Sequence, residues 1–442
     1  MNQQRPEHRS RREFLKRSAA AAGAAALAAN LSVSRAAHAA GSDTVKIALI
    51  GCGGRGTGAA VNAIKNAAGA NVQLVAMADA FQQRLDASLK AIQKQCPGHV
   101  SVADDHKFIG LDASLKAIQS DVDMVLLCSP PGFRPRDFEA AVDAGKIVFM
   151  EKPVCVDAPG YRRVLAANEK AKQKKLMVAV GLNGRHSRAS REAIQHIHDG
   201  AVGPLRFIRV YYNAAGVWNR PRTAGETEMQ YQVKNWYYFT WLSGDQIVEQ
   251  HVHSLDAANW MMQDAHPVEA NGMGGRQVRI GKDFGEIYDH FTVEYTYPDG
   301  TRMFSQSRHI RNCWNTTDRY AHGTKGYVQM GRGGTAVCVE GKEPMKIESD
   351  NQDSHQTEHD HLFAALLKGD TYNEGDYGAA AAMTAVLGRM ACYSGKVVTW
   401  EEAINSNLDL SPPAYTWDAE PQPKPGPDGL YPCALPGVTR AV

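Results

Sequence analysis

The sequence lacks any apolar run of about 18 residues after position 40, the length that a membrane-spanning helix needs. Its eight cysteines include no C-x-x-C pair and no metal-type spacing, so neither a disulfide framework nor a bound metal is predicted. No excess of one charge is present either, because 49 Lys and Arg residues stand against 47 Asp and Glu residues. These absences exclude an integral membrane protein after residue 40, a disulfide-rich scaffold and a nucleic-acid-binding protein.

What remains is the composition of a globular protein, with 43% apolar and 22% charged residues in a chain of 442. A chain of this length is expected to form two domains, each with its own core. The first 39 residues hold seven Lys or Arg and two acidic residues, which leaves 42 basic and 45 acidic residues in the rest. The rest of the chain is therefore weakly acidic.

The N-terminus has the features of an export signal. Residues 10–16 read SRREFLK, which matches the twin-arginine consensus, and an Ala/Gly-rich stretch and the cleavage-type sequence Ala37-His38-Ala39 follow. We therefore expect the twin-arginine machinery to export the folded protein to the periplasm or another extracytoplasmic space, with no membrane insertion after cleavage. The alternative is an alanine-rich helix with chance basic residues.

Between residues 45 and 180, short apolar strands alternate with helical patterns, which predicts a parallel sheet covered on both faces. After residue 205 the strands alternate in polarity, and Asp299-Gly300 predicts a hairpin, so an α+β domain with an antiparallel sheet is expected. The last 32 residues contain eight of the 20 prolines and predict an extended tail.

A glycine motif follows the first predicted strand and opens a helix. Gly51, Gly53 and Gly56 have G-x-G-x-x-G spacing, and Asp79 ends the next strand. Gly51 permits the tight turn, Gly53 lets a pyrophosphate approach the backbone, and Gly56 lets the helix pack on the strand. Asp79 accepts hydrogen bonds from ribose hydroxyls and repels a 2′-phosphate, so NAD is favoured over NADP, although a glycine turn with no ligand is the alternative.

Lys152 lies in Glu151-Lys152-Pro153, directly after a strand of the predicted parallel sheet. The carboxyl ends of such strands face the crevice where ligands bind. An amine beside a carboxylate is suited to proton transfer, whereas the alternative is a lysine in a solvent-exposed loop.

The chain resembles the Gfo/Idh/MocA family from about Val45 to Trp400. The resemblance rests on the glycine motif, Asp79 and several further motifs. These motifs are CSPP at 128–131, EKP at 151–153, GLNGR at 181–185, EQHVHSLD at 249–256 and GTKG at 323–326.

The resemblance implies a Rossmann domain for NAD(P) and a second domain whose open sheet forms the floor of the substrate site and pairs with other subunits. We therefore predict a signal peptide over 1–39, a Rossmann domain over 40–180, a substrate and oligomerisation domain over 181–410 and a tail over 411–442. The implied fold class is α/β, a doubly wound parallel sheet followed by a large open, mostly antiparallel sheet.

By the same resemblance, Lys152 is the acid/base on the substrate hydroxyl and Asn183 a neighbour of the nicotinamide. The remaining predicted cofactor-binding residues, beside Gly51, Gly53, Gly56 and Asp79, are Gly54, Arg55, Ser129, Pro130 and Glu151.

Glu249 and His253 are four residues apart, so a helical turn would place them on one face. His253 is the predicted general base, and Glu249 orients it or tunes its charge. Many relatives have Asp and a small residue where this chain has Glu249 and His251, and His251 resembles the pattern of the NAD-dependent α-N-acetylgalactosaminidase branch. His251 is thus either a second acid/base or a structural histidine, and a zinc site lacks a third ligand.

Two further groups of residues are candidates. His355, His359 and His361 lie among acidic residues before an apolar helix, as a solvated N-terminal turn would. The predicted substrate-binding residues, chosen for sugar stacking and for hydrogen bonds to hydroxyls, are Arg185, Trp236, Tyr237, Arg308 and His309.

Three functions follow as hypotheses. The first is an NAD(P)-dependent oxidoreductase that acts on a sugar or polyol hydroxyl, with Lys152 and His253 moving the proton. The second is an NAD-assisted glycoside hydrolase that works by oxidation, elimination, hydration and re-reduction, with His251 as the added acid/base. The third is a sugar-binding protein without catalysis. A homo-oligomer is expected in each case.

Overall fold

The computed structural model describes residues 44–442, which form two β-sheets with helices packed against them. The predicted signal peptide lies outside the described residues. No helix within residues 44–442 combines the length and the apolar character that crossing a bilayer requires.

The first sheet has six parallel strands in the spatial order β3-β2-β1-β4-β5-β6. Its strands are β1 (Val45–Ile50), β2 (Val72–Asp79), β3 (Lys107–Ile109), β4 (Met124–Leu127), β5 (Ile147–Met150) and β6 (Val178–Val180). Its helices are α1 (Gly54–Ile64), α2 (Gln82–Gln95), α3 (Ala113–Gln119), α4 (Arg134–Asp143) and α5 (Ala158–Gln173). Strands β4 and β5 are buried throughout, as expected for a sheet covered on both faces. The strand order reverses between β1 and β4, which places a ligand crevice at their carboxyl ends.

The second sheet has nine strands in the order β14-β13-β12-β11-β7-β10-β9-β8-β15. Its strands are β7 (Leu205–Ala214), β8 (Glu269–Gly275), β9 (His290–Thr296), β10 (Arg302–His309), β11 (Arg319–Gly323), β12 (Gly326–Met330), β13 (Thr335–Val339), β14 (Met345–Ile347) and β15 (Val398–Thr399). All neighbouring pairs are antiparallel except β7 with β10, and burial alternates along β10. Helices therefore cover one face, here called the inner face, and the outer face is open. The predicted fold class is confirmed.

The remaining helices all follow β6 in the chain, and several of them pack on the second sheet. They are α6 (Arg188–His198), α7 (Glu228–Lys234), α8 (Thr240–Ser243), α9 (Gln246–Glu249), α10 (Val252–Met261), α11 (Ser354–Lys368), α12 (Gly375–Ser394) and α13 (Trp400–Asn405). Helix α12 is buried over most of its length, because it lies between the second sheet and helix α5.

Helix α11 returns to the parallel sheet, far from its neighbours in sequence. Its Leu362, Phe363 and Leu366 belong to the same apolar core as β1 and β2. Gln356 Nε2 donates to the carbonyl of Asn62 in α1, at 3.0 Å. A segment from the second half of the chain thus completes the core of the first sheet.

The C-terminal segment, residues 406–442, is described completely and contains no helix or strand. It packs on aromatic side chains in the segments that follow β2 and β4, with the Trp417 ring centre 5.6 Å from that of Phe81 and the Tyr415 ring centre 5.6 Å from that of Phe133. The extended conformation agrees with its high proline content.

Candidate active site

The glycine loop between β1 and α1 leaves room where a pyrophosphate would approach. A Cβ on Gly51, whose φ is +92°, would lie 2.4 Å from Ser129 N, and one on Gly56 would lie 1.9 Å from Gly51 O. A Cβ on Gly53 or Gly54 would meet no atom within 4 Å. The first and last glycines are therefore required by packing, and the middle ones expose the backbone to a ligand, as the sequence predicts.

A cavity of about 350 Å³ lies above this loop. The loop, Asp79, Ser129 and Pro130 line it from the first sheet, and Trp218, Arg220 and Trp236 line it from the second part of the chain. Asp79 Oδ2 accepts from Cys52 N at 2.7 Å and Oδ1 accepts from Phe81 N at 2.9 Å, which fixes the carboxylate at the end of β2. Burial raises the pKa of Asp79. Open glycines and a fixed acid beside one cavity fit a dinucleotide.

Two arginines, which the sequence analysis missed, share this cavity with Asp79. Arg84 comes from α2, and Arg220 lies with its guanidinium carbon 3.8 Å from the centre of the Trp218 ring. Burial, followed by the charge of Arg84, lowers the pKa of Arg220 to about 10. The sequence predicts that the Asp79 carboxylate repels a 2′-phosphate, but the fold brings two cations to the same place. No local motif indicates Arg220, because it reaches the cavity from the other part of the chain.

Arg55 and Glu151 join the glycine loop to the end of β5. Arg55 Nε lies 3.0 Å from Glu151 Oε1. A Cβ on Gly181 would lie 2.6 Å from Glu151 Oε2, so the glycine after β6 makes room for this carboxylate. Burial raises the pKa of Glu151 against the opposing charge of Arg55.

Lys152, at the carboxyl end of β5, reaches across to the second part of the chain. Its Nζ donates to Glu249 Oε1 at 3.0 Å and also to the carbonyl of Glu249. Both side chains are 13% exposed, so a small molecule can still contact them. Glu249 was expected to serve His253, but it pairs with Lys152. Helix α9 ends at Glu249 and α10 begins at Val252, so the two side chains do not share one regular helix.

His253 lies in the first turn of α10 and is partly exposed. Its ring nitrogens have no hydrogen-bond partner among residues 44–442, since none of the side-chain hydrogen bonds involves them. Burial, with the charges of Lys152, Arg319 and His355, lowers the pKa of His253 well below its ordinary value. The imidazole is therefore neutral near pH 7, and its ring nitrogens are available for a hydrogen bond with a ligand.

His251 lies behind this group rather than in it. Its side chain is fully buried, and Nε2 is 2.6 Å from Ser305 Oγ on β10. Burial lowers the pKa of His251 to about 3, so it is a neutral residue of the interior. This geometry agrees with the structural alternative and removes the basis for a second acid/base.

The structure separates the predicted substrate residues. Arg185 is occupied by Asp256, with three contacts of 2.8 to 3.0 Å, and by Asp264. Arg308 lies on the outer face and donates to the carbonyl of Trp314, so it points away from the cleft. The structure therefore does not support the expectation that these two arginines bind substrate. The expectation could not be corrected from the sequence, since neither the pairing of Arg185 nor the strand register of Arg308 is visible there.

His309 lies on the inner face, where Gln250 and Arg279 occupy its ring nitrogens. Trp236 lines the dinucleotide cavity rather than the space around Lys152. Tyr237 is buried, and its hydroxyl has no partner among the described residues. Burial, followed by the charge of Glu249, raises the pKa of Tyr237. Asn183 Nδ2 donates to Ser354 Oγ at 2.7 Å, which ties the segment after β6 to the start of α11.

The expectation of a solvated turn around His359 is wrong. His359 is fully buried, with its ring centre 4.2 Å from that of Phe149. Helix α11 packs on the first sheet and so buries a histidine that looked exposed in a polar sequence. No group of three or more potential metal ligands occurs in residues 44–442.

Two residues near Lys152 were also missed. Tyr212 on β7 and Arg319 on β11 lie on the inner face. Burial raises the pKa of Tyr212, while the nearby charges of Lys152 and Arg319 lower it and that of Glu249 raises it. The inner face of the second sheet thus borders the Lys152 site. Alternating strands alone do not indicate which residues face it.

The fold and this geometry define a Rossmann protein with a cavity fitted for a dinucleotide and with the titratable side chains of Lys152, Glu249 and His253 grouped together. Residues 45–182 match the model of the Gfo/Idh/MocA oxidoreductase family with an NAD-binding Rossmann fold, so the chain carries a domain of that family.

Similar proteins agree with this assignment. Inositol 2-dehydrogenase of Rhizobium meliloti is 28% identical over 69% of this chain and 78% of its own length. Inositol 2-dehydrogenase of Klebsiella pneumoniae is 27% identical over 50% of this chain and 55% of its own length. An aldose-aldose oxidoreductase from Caulobacter crescentus has a TM-score of 0.63 at 21% identity over 80% of this chain and 99% of its own. A scyllo-inositol dehydrogenase from Lactobacillus casei, solved with NAD(H) and scyllo-inositol, has a TM-score of 0.59 at 20% identity over 81% and 99%.

The family match confirms the resemblance to the Gfo/Idh/MocA family and the NAD cofactor, and with the curated relatives it supports an NAD(P)-dependent oxidoreductase. The comparisons do not favour the glycosidase hypothesis, in agreement with the interior position of His251.

Proposed function

We propose that the protein is an NAD-dependent dehydrogenase that acts on a hydroxyl of a sugar or polyol. The observation that carries this proposal is the pairing of Lys152 with Glu249 beside an unpartnered, neutral His253, next to a cavity fitted for a dinucleotide. The relatives named inositol 2-dehydrogenase support this class of substrate.

Each residue of the group has a distinct role. The glycine loop and Asp79 would hold NAD, which would supply the hydride acceptor for the carbinol carbon. The Lys152 ammonium, held by Glu249, donates a hydrogen bond to the substrate oxygen and stabilises the charge that develops there. His253 accepts the hydroxyl proton, because its imidazole is neutral and has no protein partner.

The test is a titration of purified protein with NAD, followed by absorbance at 340 nm with a panel of polyols and aldoses. Lys152→Met should retain NAD binding and lose turnover by about 10²–10³-fold, the range typical of a lost donor to an oxygen that develops negative charge. Lys174→Met is the matched control, since Lys174 only donates to carbonyls of Val142 and Asp143 on the far side of the domain. NAD binding without turnover of any member of the panel, or full activity in Lys152→Met, would favour the sugar-binding hypothesis.

We also propose that the protein is exported folded by the twin-arginine route and that NAD enters it beforehand. The SRREFLK motif supports export. Trp218 lines the cavity, and Trp417 of the tail packs on Phe81, another residue of its lining, which supports slow cofactor release. Cell fractionation of the wild type and of the double variant Arg11→Lys and Arg12→Lys tests export. Loading is tested by denaturing the periplasmic protein and identifying the released nucleotide by its mass. Protein that releases no nucleotide would contradict the proposal.

A second copy of the chain is the proposed partner of the outer face. This face exposes large apolar side chains, namely Met273, Phe304, Trp314 and Tyr327. Such a patch is typical of an interface between subunits. Light scattering of the wild type and of Phe304→Glu tests the assignment, and a monomeric wild type would contradict it.

A further inference from the structure

Arg319 occupies a defined position on the floor of the Lys152 site. It lies opposite Val210 of β7, and Tyr212 follows two residues later on the same face. Its Nε donates to Ser254 Oγ at 3.3 Å, and Ser254 follows His253 in the chain. The side chain is only partly exposed. Strand register and this contact therefore place the guanidinium beside His253.

Within residues 44–442 no carboxylate forms an ion pair with Arg319. Burial lowers the pKa of Arg319, and the charge of Asp256 opposes this more than that of any other acid. However, Arg185 already binds both oxygens of the Asp256 carboxylate. Glu249 is likewise bound by Lys152. The positive charge of Arg319 is thus left without an ion-pair partner in the part of the chain that the structure describes.

The charge of Arg319 is directed at the same groups as that of Lys152. After burial, the charges of both cations contribute to the lowered pKa of His253, and both oppose the rise that burial causes in the pKa of Tyr212. Placing a largely desolvated cation beside reacting groups is costly unless a ligand compensates for it. A guanidinium offers a planar pair of donors that matches a carboxylate, and a single such group matches a single negative charge.

We infer that the substrate is a sugar acid, whose carboxylate binds Arg319 while a hydroxyl lies against Lys152 and His253. This inference rests on the proposed dehydrogenase function and narrows its substrate class. Neutral polyols would leave the guanidinium without a counter-charge, so they are expected to be poor substrates.

The experiment compares glucuronate, galacturonate and gluconate with glucose and myo-inositol as substrates of the NAD-loaded protein. We expect kcat/KM for at least one acid to exceed that for the neutral compounds by 10-fold or more. Arg319→Gln should lower the value for the acids about 10–100-fold through KM, as expected for a charge-assisted pair, and should lower the value for the neutral compounds much less. For the acids, the kcat/KM of Arg319→Lys should lie between that of the wild type and that of Arg319→Gln, because lysine keeps the charge but not the paired donors.

Arg209→Gln is the matched control, because Arg209 lies on neighbouring strand β7 but on the outer face, over the Tyr320 ring. A wild type that prefers neutral substrates, or an Arg319→Gln variant that loses all substrates equally, would overturn the inference and leave the dehydrogenase proposal intact. If no compound is turned over, calorimetric binding of glucuronate to the NAD-loaded protein decides. Binding that Arg319→Gln weakens supports the inference although the proposed function fails, and no binding overturns it.

Discussion

Replacing Glu286 by Gln should stabilise the protein at alkaline pH and have little effect at acidic pH. Glu286 is buried, and its Oε1 accepts from Thr240 N at 2.7 Å and from Thr240 Oγ1 at 2.6 Å. Its Oε2 has no partner among the described residues. Burial raises the pKa of Glu286 from 4.5 to about 7, and Thr240 opens the segment that leads to Glu249.

The direction follows from proton uptake on folding. Because the pKa is higher in the folded protein than in the unfolded chain, the folded state binds the proton more tightly. The stabilisation from this group is complete below about pH 4.5, declines as the pH rises, and is lost above about pH 7. A shift of this size corresponds to about 3 kcal/mol of unfolding free energy, and Gln removes the titration while Oε1 still accepts from Thr240.

Guanidinium chloride unfolding, followed by tryptophan fluorescence at several values between pH 5 and pH 8, measures the effect. The stability of Glu286→Gln relative to the wild type should increase by about 2–3 kcal/mol across this range. Glu401→Gln, at an exposed position on α13, should show no such change. Parallel curves for Glu286→Gln and the wild type would refute the reasoning, since they would mean that the buried carboxyl does not titrate differently on folding.

Other predictions concern the cofactor and the base. Gly53→Val should weaken NAD binding at least 10-fold in a fluorescence titration, because the added side chain fills the space above the loop, and unchanged affinity would contradict that position of the pyrophosphate. Arg220→Ala should weaken NAD binding several-fold without affecting stability, since the guanidinium borders the cavity; equal losses of binding and stability would mean a structural role. Because the pKa of His253 lies well below its ordinary value, kcat/KM should show no loss from protonation of His253 between pH 8 and pH 6.5, and a limb centred near pH 6.5 that His253→Gln removes would contradict this.

The sequence predicted the parts of the site that depend on local order along the chain. The glycine loop, Asp79 and Lys152 each follow a strand of a parallel sheet, and the ends of such strands meet at one crevice. Local order was therefore enough to bring these residues together in the prediction, and the structure places them there.

Residues whose roles depend on distant partners could not be assigned in the same way. Arg308 and His309 are adjacent, but strand register sends one to the outer face and the other to the inner face. Arg185 is neutralised by Asp256, 71 positions away. His251 turns inward because the helix is interrupted after Glu249, and nothing in the local pattern of apolar residues indicates such an interruption.

The return of helix α11 to the parallel sheet determines when the nucleotide site can mature during synthesis. Strand β6 ends at Val180, whereas Leu362, Phe363 and Leu366 are needed to fill the core beneath the glycine loop. At about 5–20 residues per second, the ribosome needs roughly 10–40 s to make the intervening chain. The core beneath the nucleotide site is thus completed late in synthesis, and the first 180 residues expressed alone would leave part of that apolar core exposed.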